Sequence, residues 1–171
     1  MLKEIKHRRS CRDFDENLYP SEEEVNKIIE AGLRAPSAKN LQDSIIIQIK
    51  DKKVRDELMR LNQSIFVRGE FDPFYGAPII LLVIAKKSQF AQYDGALTME
   101  NMMIEATHLG IDSIWIHRAK EELERPEIKE ILKDIPLNLD EYEGIGHLAI
   151  GYSKSGKYRD IQIKENRTYK I

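Results

Sequence analysis

Apolar positions along the chain fall into two rhythms. "SIIIQIK" (44–50) and "DSIWI" (112–116) are short β-branched runs and predict strands. "IILLVIA" (79–85) has no polar position at all, as expected of a strand covered on both faces. "IGHLAIGY" (145–152) reads as the last strand. Between these runs the period changes to that of a helix. Val25, Ile28, Ile29 and Leu33 recur at helical spacing, after Ser21 and Glu24 in the positions of a capping box, and Pro36 marks the stop. "KKVRDELMRLNQS" (52–64) and "YDGALTMENMMIEATHLGI" (93–111) predict two more helices, the second stopping near Gly110. "ELERPEIKEILKDI" (122–135) reads as mostly helix, and a short helix is expected over 2–7.

In the methionine-rich helix, Ala96, Met99, Met103 and Ala106 share one stripe, with Leu97, Ile104 and His108 beside it. Such a stripe belongs to a core or a subunit interface. Strands alternating with helices predict an α+β or α/β layered fold in one domain spanning 1–171. The tail, 153–171, is polar with scattered Ile and Tyr, which suits either an arm on a partner subunit or a frayed end.

Composition narrows the classes. The 171 residues carry 27 Lys and Arg against 29 Asp and Glu, a formal charge of −2. That balance argues against a general nucleic-acid binder and turns any local cation cluster toward one small anion. The single cysteine, Cys11, excludes an internal disulfide. No apolar run approaches the ~20 residues of a membrane span and no secretory signal is visible, so no membrane role and a cytoplasmic location are expected.

Three stretches carry chemistry. In "RRSCRDF" (8–14), Arg8, Arg9 and Arg12 flank Ser10. Guanidinium forks and a hydroxyl suit phosphate oxygens, and on an extended segment Arg8, Ser10 and Arg12 would share one side with Arg9 on the other. The alternative is a solvated segment ion-paired with the neighbouring "DFDE". "APSAKNLQ" (35–42) groups Ser37, Asn40 and Gln42 in a loop, able to read the edge of a flat heterocycle or simply to stop a helix. In "SIWIHRAKE", His117 and Arg118 follow directly on a strand end, where ligands of open sheets often sit. No histidine has metal-ligand spacing, so no metal is expected, and neither a P-loop nor a G-x-G-x-x-G is present.

In order and spacing these segments resemble the nitroreductase family of FMN-dependent oxidoreductases, in a short-chain subgroup. "RRSCRDF" is similar to its opening R-R-S-x-R-x-F, "APSAKNLQ" to A-P-S-x-x-N-x-Q, "DGALTMENMMIEATHLGIDSIWIHRAKE" to its long helix and next strand, and "GIGHLAIGY" to its last core strand. The resemblance implies an α+β sandwich with a central, mostly antiparallel sheet flanked by helices, in an intertwined homodimer with FMN at the interface. It places Arg8, Arg9, Ser10 and Arg12 on the FMN phosphate, ribityl chain and pyrimidine edge. Pro36, Ser37, Ala38 and Asn40 would come from the other subunit to the isoalloxazine. Trp115, Ile116, His117 and Arg118 would lie over the ring, with main-chain N–H groups near N5 and O4. Asn62 falls at the ring edge, and Lys164 with Arg167 closes on the phosphate from the tail arm.

The implied activity is ping-pong electron transfer from NADH or NADPH to a nitroaromatic, quinone or similar acceptor, with no catalytic side chain required. Dehalogenation, flavin breakdown or heterocycle oxidation on the same fold, and an FMN-binding sensor or storage module, are the alternatives. The chain departs from the pattern in three places. "QDS" stands where Q-P-W is usual, the tail reads "QIKENR" in place of adjacent Arg-Lys, and the loop after "NQSIFVRG" is short for a lid.

Overall fold

A computed structural model describes residues 1–65, 71–159 and 161–171. The short loop after "NQSIFVRG" lies partly outside these residues. Helix α1 spans Lys3–His7 and α2 spans Glu22–Leu33. They are followed by β1 (Ser44–Ile49), α3 (Lys52–Ile65), β2 (Ile79–Lys86), α4 (Ala91–His108) and β3 (Asp112–Ile116). Two short helices, α5 (Ala119–Leu123) and α6 (Pro126–Ile131), lead to β4 (Tyr142–Gly151).

The local signals act as the sequence predicts at several ends. The Glu24 N–H donates to Ser21 Oγ (3.3 Å) and the Ser21 N–H to Glu24 Oε2 (2.8 Å), a complete capping box. At the end of α4, Gly110 takes a φ of +75°. There Ile111 N–H reaches Ala106 O (2.8 Å) and Gly110 N–H reaches Thr107 O (3.2 Å), the paired bonds of a Schellman stop. The expected helix over 122–135 is instead two. Pro126 has no N–H to continue a helix and begins α6 at its first turn.

The four strands form one sheet in the order β1-β2-β4-β3, every pair antiparallel. Strand β2 is buried along its length except at Lys86 because it lies inside the sheet with helices on both faces. Its alternate residues divide the core. Ile80, Leu82 and Ile84 pack with Leu58 of α3, Leu123 of α5 and Ile128 of α6. Ile79, Leu81, Val83 and Ala85 pack with Val25 and Ile28 of α2 and Met99, Met102 and Met103 of α4. The protein is thus an α+β sandwich with helices on each side of an antiparallel sheet. The methionine stripe is core on its Met99 side, whereas Tyr93 and Leu97 on the neighbouring face of α4 are 73% and 44% exposed.

The register between β2 and β4 slips once, from Val83↔Gly146 to Ile84↔Gly144, leaving Ile145 as the extra residue of a bulge. The bulge turns Ile145 to the α4 face although His147, two residues on, packs on the opposite face. It also brings Gly144 under α5. A Cβ there would stand 2.0 Å from Ala119 O, so only glycine admits the approach.

Candidate functional site

The opening arginines are held by pairing on both sides. Ser10 forms a parallel bridge with Ser113 of β3, and Cys11 N–H donates to Ser113 O (3.1 Å). Phe14 bridges to Ser153 and its N–H donates to Tyr75 O (3.0 Å). Cys11 and Phe14 are fully buried, which pins the segment to the sheet. Burial also pushes the Cys11 thiol up to about 11.

The expected alternation along this segment does not hold. Arg8 still belongs to the turn that ends α1, so the extended stretch begins only after it. Arg8 and Arg9 therefore line one hollow of about 130 Å³ together, with Gly110, Asp112, Ser113 and Tyr158. Arg12 lies outside that lining, exposed. Nor do the guanidiniums pair with "DFDE". The Ser153 hydroxyl donates to Asp13 (2.7 Å), and Ser155 and Ser153 together hold the Asp13 carboxyl below the usual carboxylate range. Asp15 accepts from Asn17 N–H (3.0 Å). Among the described residues, Arg8, Arg9 and Arg12 have no carboxylate partner, and Arg9 Nη1 bonds only main-chain oxygens, Lys6 O at 2.7 Å and Arg8 O at 2.8 Å. Asp112, the acid of the hollow, is already engaged. It accepts the Tyr158 hydroxyl (2.7 Å) and Ser153 N–H (2.9 Å). The Ser113 hydroxyl, on a residue 2% exposed, has no hydrogen-bond partner among the described residues.

The loop 35–42 is more constrained than a plain helix stop. Lys39, Asn40 and Gln42 all have φ near +54°, an unusual run for non-glycine residues. Two bonds hold it. Ala38 N–H donates to both oxygens of Asp94 on α4 (3.1 and 3.2 Å), and Gln42 N–H donates to Ser37 Oγ (2.9 Å). Asp94 escaped the sequence reading because it sits in a helix 56 residues away. Pro36 and Ser37 line a different hollow, beside Gly32 and Thr98, so one chain does not bring this loop to the arginines.

At the end of β3 the side chains divide by face. Ile116 is core and Trp115 lies against Gly146 on the other side of the sheet. His117 is exposed, and Arg118 takes a φ of +88° while its Nη1 donates to Glu121 (3.0 Å). Asn62 is not at an open edge. It is 2% exposed, and its Nδ2 donates to His117 O (3.0 Å) and to the buried Glu122. His147, which shows no partner in the sequence, stands with its Nε2 at 2.8 Å from Glu122 Oε2. Lys164 and Arg167 lie on the exposed tail, away from the arginine hollow.

A larger hollow of about 610 Å³ lies between α5, α6 and the start of β4. Of its cations, Lys129 pairs with Asp140 (2.8 Å), Lys120 stands 4.0 Å from Glu143, and Lys87 Nζ donates to the main-chain oxygen of Asp140 (2.9 Å). Among the described residues no group of acids, histidines and cysteine is placed to hold a metal, and no helix is long and apolar enough to cross a membrane.

Comparison with known proteins identifies relatives of the chain and of its fold. The profile of the Nitroreductase family matches residues 5–152. A protein of Archaeoglobus fulgidus named as an NADH dehydrogenase/NAD(P)H nitroreductase is 29% identical over 160 residues, 91% of this chain and 87% of that one. An NADPH-dependent oxidoreductase of Staphylococcus aureus is 28% identical over 155 residues, and the match covers 77% of this chain but only 57% of that protein's length. A Bacteroides fragilis nitroreductase crystallised with bound FMN superposes with a TM-score of 0.86 at 26% identity, covering 99% of this chain and 96% of that one. One from Desulfitobacterium hafniense, also with bound FMN, gives 0.86 and 26%, with coverage of 99% and 97%.

Proposed function

The chain belongs to the nitroreductase family, and we propose that it is an FMN-dependent oxidoreductase that takes electrons from NADH or NADPH and passes them to a nitroaromatic, a quinone or a similar conjugated acceptor. The observation that carries this reading is the hollow at the start of β3. Arg8 and Arg9, which have no carboxylate partner among the described residues, line it beside the buried Ser113 hydroxyl, which has no hydrogen-bond partner among them either. Unneutralised forks and a spare donor fit a phosphate monoester, which accepts several charge-assisted hydrogen bonds. A site meant only for solvent would not leave Ser113 Oγ buried and unpartnered.

When bound, FMN supplies the redox chemistry, exchanging an electron pair first with the nicotinamide and then with the acceptor at the same ring, a ping-pong cycle. The chain's residues bind and orient. Arg8 and Arg9 hold the phosphate, and the Ser10 hydroxyl and Arg12 extend the contact toward the ribityl chain and pyrimidine edge. The main-chain N–H groups at His117 and Arg118 donate toward the ring edge where charge accumulates on reduction, the preorganised arrangement that lowers the cost of that charge. No general acid or base is needed in this scheme, which suits a site with no catalytic carboxylate or histidine pair. The loop carrying Pro36, Ser37, Ala38 and Asn40 reaches the ring from a second copy of the chain. The tail past Ser153 serves as the arm that brings Lys164 and Arg167 to that partner's phosphate. Both assignments agree with a single chain on which the loop and the arginine hollow stand apart.

Steady-state kinetics test the cycle. Initial velocities against NADPH or NADH at several fixed concentrations of a quinone or nitroaromatic should give parallel double-reciprocal lines. Intersecting lines refute the ping-pong order.

A further inference from the structure

Beneath the end of β3 lies a polar cluster that binding of phosphate or ring edge does not use. Asn62 of α3, Glu122 of α5 and His147 of β4 are 2%, 0% and 0% exposed. Burying a carboxylate and an imidazole costs several kcal/mol unless both are well answered, and apolar residues of like volume would fill the space more cheaply. Here the answer is incomplete. His147 Nε2 and Glu122 Oε2 stand 2.8 Å apart, at ion-pair distance, yet among the described residues neither atom has an aligned hydrogen bond, and His147 Nδ1 has no hydrogen-bond partner. A cluster retained at such cost calls for a role beyond filling the core.

Its one well-made link points to that role. The Asn62 Nδ2 donates both to Glu122 Oε1 and to the carbonyl of His117 at 3.0 Å. The His117 carbonyl is an acceptor only, so the amide orientation is fixed by chemistry, with nitrogen toward it. The carbonyl of His117 and the N–H of Arg118 belong to one peptide unit. No peptide bond in the described residues is cis, so the two groups point in opposite directions. Holding the carbonyl from below therefore directs the Arg118 N–H away from the buried cluster. The conformation so held is an unfavourable one. Arg118 has a φ of +88°, a left-handed value that a side-chain-bearing residue keeps only when its surroundings impose it. Immediately after it, the Ala119 carbonyl is pressed against Gly144, where a Cβ would stand 2.0 Å away. The turn is thus fixed from two sides.

We propose that Asn62, itself held by Glu122, is a positioning residue that sets the direction of the 117–118 peptide N–H toward the flavin ring edge, and so tunes how readily bound FMN is reduced. The inference rests on the proposed flavin site. Asn62 then acts through the backbone and touches no part of the phosphate hollow. Removing its donor should leave FMN affinity for the oxidised form within about threefold. Affinity for the reduced form should fall about tenfold relative to the oxidised form, a drop of about 30 mV in the two-electron midpoint potential.

The test compares Asn62→Leu and Asn62→Ala with Leu58→Ala, which removes core volume from the same helix without touching the peptide. Two measurements are made: the midpoint potential of the FMN-loaded proteins, and the amide resonance of Arg118 in the FMN-free proteins. A fall of about 30 mV in either Asn62 variant, with a shifted Arg118 amide and neither effect in Leu58→Ala, is the expected result. If Asn62→Leu does not fold, the smaller Asn62→Ala carries the comparison. If every folded Asn62 variant retains FMN at the wild-type potential, or leaves the Arg118 amide unmoved, the proposal is overturned and the flavin reading stands. Wild-type protein that retains no FMN overturns both, and so separates the two failures.

Discussion

Replacing Gly144 by alanine adds one methyl group at the point where β4 meets the first turn of α5. The added Cβ would lie 2.0 Å from Ala119 O, 2.1 Å from Ala119 C and 2.6 Å from Lys120 N. Ordinary C···O contact begins near ~3.3 Å, so α5 must retreat by roughly 1.3 Å. All three obstructing atoms are backbone, and no side chain is able to swing aside. Overpacking of this kind costs about 1–3 kcal/mol, and the backbone neighbours place it at the upper end. At ~2–4 °C per kcal/mol for a chain of this size, the melting temperature should fall by about 6–12 °C. The matched control is Gly110→Ala, where nothing lies within 4 Å and only the φ of +75° is unfavourable. It should cost ~1–2 kcal/mol, the penalty of a left-handed alanine. Thermal unfolding followed by far-ultraviolet circular dichroism measures both. The displaced turn carries the 117–118 peptide, so Gly144→Ala should also weaken flavin retention while Gly110→Ala does not. Equal melting temperatures for Gly144→Ala and the wild type would refute the close packing of β4 on α5 and the reasoning built on it.

Arg8→Ala should raise the FMN dissociation constant by about 1.5–3 kcal/mol, the scale of a hydrogen bond to a charged group, and flavin fluorescence titration checks it; an unchanged constant removes Arg8 from the site. Asn40→Ala should weaken FMN binding with the oligomeric state unchanged on size-exclusion chromatography, and a change of state would make the loop structural. Cys11, 1% exposed and with its thiol pushed up to about 11 by burial, should resist alkylation by iodoacetamide at pH 8 in the folded protein and react after denaturation. Rapid modification of the native protein would contradict its placement. Ser21→Ala, which deletes the hydroxyl accepting from Glu24 N–H, should cost ~1 kcal/mol in urea unfolding.

Much of this architecture is legible in the chain because local signals and tertiary packing agree. The two-faced burial of "IILLVIA", the capping box at Ser21 and the stop at Gly110 each declare themselves within a few residues. What escapes is whatever depends on neighbours remote in sequence. The bulge at Ile145 reverses the face of one residue and nothing in "GIGHLAIG" announces it, because alternation assumes an unbroken register. Asp94 serves the loop at Ala38 from 56 residues away, and Glu122 meets His147 and Asn62 only in the folded core. The arginines were identified from their residue types, but their grouping was not. Strict alternation requires an extended backbone, and the end of α1 turns Arg8 into the same hollow as Arg9. The resemblance sets Asn62 at the ring edge; what no resemblance shows is that its amide is engaged by a carbonyl and a carboxylate below the surface.

The most direct test of the account is a visible absorption spectrum of the purified protein after FMN has been added and the excess removed, recorded before and after anaerobic NADH or NADPH. The account predicts a retained flavin band that bleaches on addition of at least one of the two nucleotides. A protein that emerges colourless contradicts the phosphate hollow at Arg8 and Arg9, and with it the functional reading of the chain.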